Sequence, residues 1–164
     1  MGGDASDAFL VCGCLLPGLY LAWKDATEFI LPHHVTIPML LMGLAYGLYF
    51  DKFSYSLLGA GTMFCVMLFV PLAASKVFGK AAEIGGGDIW LSTALGAWFG
   101  LHGVLVIMIW SCVGSIIYGI IKLLYSGRVN TSESKQDDEI PPGAIPFGTF
   151  MIIATWAFVL KGVF

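Results

Sequence analysis

The chain is 164 residues long, 58% hydrophobic and only 12% charged, with a formal net charge of −3 and a mean hydropathy of +0.86. Soluble domains carry about 25% charged residues, and a chain of one-domain length cannot hide this much apolar surface in a water-soluble core. Disordered, fibrous and nucleic-acid-binding classes are excluded, and an integral membrane protein remains.

Charge-free runs, measured against the roughly 20 apolar residues a bilayer requires, predict the elements in order. Met1 to Asp7 holds two aspartates and no basic residue, so the first apolar segment is expected to be retained and not cleaved as a secretory signal. Ala8 to Trp23 is the first predicted span, ending at Lys24-Asp25. Phe29 to Phe50 is the second charge-free run. Pro32, His33, His34 and Pro38 crowd its start, which predicts a helix from near Thr36, with Thr36 as N-cap and Pro38 in the first turn. Phe53 to Ser75 is the third run, followed by a loop with Lys76, Lys80, Glu83 and three consecutive glycines.

Ile89 to Ile121 is charge-free, long for one span and short for two full ones. The Gly100-Leu101-His102-Gly103 break predicts two helices joined by a tight turn. Basic residues concentrate on the cytoplasmic side of a membrane protein. With the break, Lys24, Lys76, Lys80, Lys122, Arg128 and Lys135 share that side and only Lys52 and Lys161 lie outside. Residues 126–142 are polar and acidic, with Asp137-Asp138-Glu139 and a Pro-Pro pair, and are expected to form a mobile cytoplasmic loop. Ile145 to Leu160 is the last span. The expected fold is all-α and polytopic: a single membrane-embedded domain over residues 1–164, six transmembrane helices, both termini outside.

Cys12, Cys14, Cys65 and Cys112 all lie in apolar stretches and form no CxxC pair, so neither a zinc nor a thioredoxin-type site is expected. Carboxylates at membrane helix ends are costly and are functional candidates. Two stand out. Asp25 ends the first span, and Asp88 directly follows Gly85-Gly86-Gly87. The charge bias puts both at the same face. Two carboxylates sharing one proton can hydrolyse a peptide bond, one as base on water and the other as acid. Glycines before Asp88 would let a substrate strand approach the backbone closely. The plainer readings are an interfacial Asp25 paired with Lys24, and Asp88 as N-cap of its helix.

The local strings bear on this choice. Gly85-Gly86-Gly87-Asp88 fits GxGD and is followed by Ile89, Leu91 and a Gly96-to-Gly100 pattern. Asp25 is followed by Leu31-Pro32-His33 and by Val35-Thr36-Ile37-Pro38, and Pro146-Phe147-Gly148 precedes the last span. These three blocks, in order, resemble the type IV prepilin and preflagellin peptidases, aspartic membrane proteases of the GxGD group. The resemblance covers about Asp25 to Phe150. It implies that Asp25 and Asp88 are catalytic. It also implies that the chain removes a short basic leader from prepilin-like or preflagellin-like substrates at the cytoplasmic face of a prokaryotic inner membrane.

Two positions depart from the family's pattern. His33 stands where asparagine is usual, and Trp90 where lysine is frequent, which bears on substrate preference more than on catalysis. Larger members carry a cytoplasmic insertion with two CxxC pairs and methylate the new N-terminus; this chain has no such pairs, and N-methylation is not expected.

Gly85, Gly86, Gly87, Pro32 and His33 are expected to border the substrate strand. Glu28 and Glu83 are expected to steer a basic leader electrostatically. No metal, cofactor or nucleic-acid partner is expected, and the oligomeric state is left open. A small membrane carrier relaying an ion or proton through the same two aspartates is the alternative, and an inactive scaffold subunit a third reading.

Overall fold

The computed structural model describes residues 8–78, 85–126 and 146–161. Every regular element among them is a helix: α1 (Ala8–Glu28), α2 (His33–Tyr49), α3 (Phe53–Phe78), α4 (Gly86–Ser126) and α5 (Phe147–Leu160). Glu83 and most of the 126–142 segment lie outside the described residues.

Helix α1 widens into a π-helical turn at Val11–Leu15 and continues to Glu28, so that Asp25 sits in its last turn and not beyond it. Phe29 then takes a left-handed conformation (φ 54°), and its N–H donates to the Asp25 carbonyl at 3.0 Å. That turn ends the helix beside the carboxylate.

Helix α2 starts at His33, three residues before the expected Thr36. Pro32 occupies the N-cap with φ −71°, and its carbonyl accepts from the N–H groups of Val35 and Thr36. The Thr36 hydroxyl instead donates back to the His33 carbonyl at 3.4 Å, so it caps nothing. Pro38 lies inside the helix, where its missing N–H leaves the His34 carbonyl without an intrahelical donor.

The expected break in the long apolar run is present at Gly100. Its φ of 62° and ψ of −172° are non-helical and interrupt α4. The two arms of α4 run in opposite directions. Phe64 meets Trp90, and Gly59 meets Gly96, so the first arm is antiparallel to α3. Phe158 of α5 touches both Phe99 and Gly103, while Phe150 lies against Gly114 and Tyr118. The second arm therefore returns toward the end of the bundle where α5 begins.

The first arm is the most buried part of the molecule. Leu91, Ala94, Leu95 and Ala97 are fully enclosed, together with Leu21, Met39, Met63 and Met151 from the surrounding helices. Trp98 is buried with its Nε1 donating to the Met39 carbonyl at 2.9 Å, which gives its polar atom a partner in an apolar interior.

The outside of the bundle is apolar as well. Leu48, Leu58, Phe69, Ile109, Trp110 and Leu123 are each at least 60% exposed. Helix Ala8–Glu28 and the stretch Gly86–Leu124 are long and apolar enough to cross a membrane, and Phe53–Phe69 and Phe147–Leu160 are shorter apolar helices. A surface of this kind is suited to lipid and not to water.

Candidate active site

Asp25, Asp88 and the start of α5 come together at one end of the bundle. Asp25 is only 5% exposed, and its carboxylate turns toward α5. Oδ2 accepts the backbone N–H of Thr149 at 2.7 Å and the Thr149 hydroxyl at 2.9 Å. The free N–H groups of a helix's first turn suit a carboxylate. No side chain of α5 itself caps that terminus, and Asp25 fills the role from another helix. The sequence reading of Asp25 as a partner of Lys24 is replaced: Lys24 Nζ reaches both oxygens of Glu28, at 2.8 and 2.7 Å.

Asp88 lies in the first turn of α4, whose helix begins at Gly86, and its N–H donates to the Gly85 carbonyl at 3.0 Å. It is a first-turn residue and not the N-cap. The half-buried carboxyl folds back toward Gly85, and Asp25 is near enough to act on it electrostatically. Two carboxylates from distant parts of the chain thus share one small region.

Leu31 is the wedge between them. It is buried and packs against both Gly87 and Gly148, the residues next to Asp88 and Thr149. A Cβ at position 87 would stand 2.5 Å from Leu31 Cβ, and one at 148 would stand 2.9 Å from Leu31 Cδ1. At position 87 only glycine fits against Leu31 Cβ, and at 148 a side chain would press on Leu31 Cδ1 and the Asp25 carboxylate.

Of the other residues singled out in the sequence, Gly85 and Gly86 are exposed at the mouth of α4, and Pro32 is buried at the start of α2. His33 is exposed and meets the Trp90 ring edge-on at 6.5 Å, and Trp90 in turn meets Phe64 at 6.2 Å. The two departures from the family pattern are therefore neighbours in space. Glu28 is exposed and already paired with Lys24. Thr149 is not among the residues that the sequence points to, although it directly follows the Pro146-Phe147-Gly148 block, and Leu31 figures there only as part of the Leu31-Pro32-His33 block.

A separate cavity of about 500 Å³ lies at the opposite end, lined by Tyr46, Asp51, Lys52, Trp98, His102 and Phe158 among others. It takes no part in the aspartate site.

Fold and site together define a helical membrane protein with a carboxylate pair at one end of its bundle. Residues 9–120 match the model of the type IV leader peptidase family. The chain belongs to that family. It is 31% identical over 157 residues to a prepilin leader peptidase/N-methyltransferase of Myxococcus xanthus, a match covering 94% of this chain and 44% of the relative. A protein of the same name from Xanthomonas campestris is 32% identical over 156 residues, covering 93% of this chain and 49% of that one. One from Pseudomonas aeruginosa is 34% identical over 148 residues, covering 88% and 46%. The chain thus spans about half the length of the curated relatives it matches. No solved structure matches it.

Proposed function

We propose that this chain is an aspartic endopeptidase that removes the short basic leader of type IV prepilin-like or preflagellin-like proteins. The observation that carries the reading is the meeting of Asp25 and Asp88 at one end of the bundle, beside the glycines of the α4 entrance. Family membership supports leader processing as the activity.

The chemistry follows from the arrangement. Asp25, whose Oδ2 is occupied by Thr149, accepts a proton from water on its other oxygen. The water oxygen bonds to the scissile carbonyl carbon while protonated Asp88 donates to the carbonyl oxygen. In the second step the C–N bond breaks. The Asp25 proton passes to the leaving nitrogen, and one hydroxyl of the intermediate returns its proton to Asp88. The dyad ends as it began, and no covalent intermediate forms.

Gly85 and Gly86, both exposed, leave room for an extended substrate backbone, while Gly87, packed against Leu31, and Pro32 and His33 border the same entrance. Glu28 exchanges Lys24 for a basic leader side chain, and the charge of Glu83 adds to the electrostatic attraction of that leader. The bundle crosses the bilayer six times, with both termini outside and the dyad at the cytoplasmic face of the inner membrane. Placement of the basic residues supports that orientation.

Reconstitution in lipid vesicles tests the reading. With a prepilin-like peptide carrying a basic leader, mass spectrometry should find one cleavage at the leader junction. Intact peptide together with proton or cation flux through the vesicle wall would identify a carrier instead.

A further inference from the structure

We infer that Thr149 is a positioning residue that makes Oδ1 the working oxygen of Asp25; the inference rests on the endopeptidase reading above. Both hydrogen bonds that Asp25 receives among the described residues come from Thr149, and both reach the same oxygen. Oδ2 is therefore filled by an N–H at 2.7 Å and an O–H at 2.9 Å. No described residue donates to Oδ1.

A carboxylate free to rotate about its Cβ–Cγ bond presents either oxygen. One anchored at Oδ2 by two donors from a different helix presents only one. Such pre-orientation matters because proton transfer from water requires the acceptor within about 2.6–3.2 Å, and misplacement of reacting groups is expensive in rate.

Two further contacts fix Thr149 itself. Its one hydroxyl proton is shared between Asp25 Oδ2 at 2.9 Å and the Ala22 carbonyl at 3.1 Å, one turn before Asp25 on α1, and both acceptors draw the side chain toward α1. Gly148 removes the Cβ that would stand 3.2 Å from Oδ2 and lets α5 approach closely enough for these bonds. Thr149 thus joins α5 to the last turn of α1 at the reacting carboxylate. Its backbone donor survives any ordinary substitution, and the hydroxyl does not, so the side chain's share can be measured alone.

The experiment compares steady-state cleavage of one prepilin-like peptide by wild type, T149V, T149A, T149S and D25N, each as the full chain in lipid nanodiscs. Loss of the hydroxyl in T149V and T149A should lower kcat about tenfold with KM unchanged, while T149S, which keeps the hydroxyl, should recover most of the rate. T149A carries the comparison if the valine variant fails to fold. Wild-type kcat in T149V or T149A with D25N inactive would overturn the inference and leave the endopeptidase reading intact. T149S as slow as T149A would also overturn it, since only shape would then matter. Wild-type cleavage by D25N would remove the Asp25–Asp88 mechanism, and this inference with it.

Discussion

A methyl group added at Gly148 would stand 3.2 Å from Asp25 Oδ2 and 2.9 Å from Leu31 Cδ1. Overpacking of this kind costs about 1–3 kcal/mol, and here the displaced atoms include the oxygen that anchors Asp25 to Thr149. Gly148→Ala is expected to lower kcat at least tenfold while the protein still inserts, as measured by cleavage rate and by recovery from membranes. His33 is exposed and lies edge-on to Trp90, and the proposed function sets it beside the substrate. Its replacement by alanine should raise KM and leave kcat near wild type, the pattern of lost substrate binding. At this scale the sequence was half legible. Asp25, Asp88 and the glycines stand out because carboxylates and consecutive glycines are conspicuous in an apolar chain. Thr149 does not, because a threonine at a helix start is unremarkable until the fold is known, and Leu31 shows in the sequence only as one letter of a block. The Thr149–Asp25 contact spans 124 positions and leaves no local trace.

At the scale of the element, Gly100 decides whether the long apolar run is one helix or two. Its φ of 62° is the left-handed region, and a side chain there would also enter the Tyr55 ring. Gly100→Ala combines backbone strain of about 1–3 kcal/mol, since positive φ with ψ of −172° is essentially restricted to glycine, with that clash. Thermal unfolding in detergent is expected to show a clearly lowered midpoint; an unchanged one would mean the turn does not depend on glycine. The break itself was legible, since glycines flank a charge-free run of unsuitable length. The start of α2 was not. Thr36 and Pro38 suggested a cap and a first turn, but Pro32 ends the preceding extended segment and leaves its carbonyl free to accept from Val35 and Thr36. Both prolines fit a helix start, and the earlier one is used, with Leu31 just before it packed between Gly87 and Gly148.

For the whole molecule, composition alone indicated a helical membrane protein, and the apolar exterior agrees with it. The order of contacts places Asp25, Asp88 and the start of α5 at one end, with Gly100, His102 and the Asp51-Lys52 turn at the other. The proposed topology puts these ends on opposite sides of the bilayer. In a background without Cys12, Cys65 and Cys112, the exposed cysteines, single cysteines at Glu28 and His102 should react with a membrane-impermeant thiol reagent from opposite sides. Labelling of both from the same side would contradict six crossings.

The central claim is that two carboxylates, distant in sequence and close in the bundle, act as one catalytic unit. Cleavage of a prepilin-like substrate by wild type, Asp25→Asn, Asp88→Asn and the double variant tests it most directly. General acid–base groups contribute about a hundredfold or more to rate. Each single variant should therefore lose at least that much while remaining in the membrane, and the double variant should be little worse than either, as expected of residues acting together. Cleavage at the wild-type rate by either single variant would contradict the account.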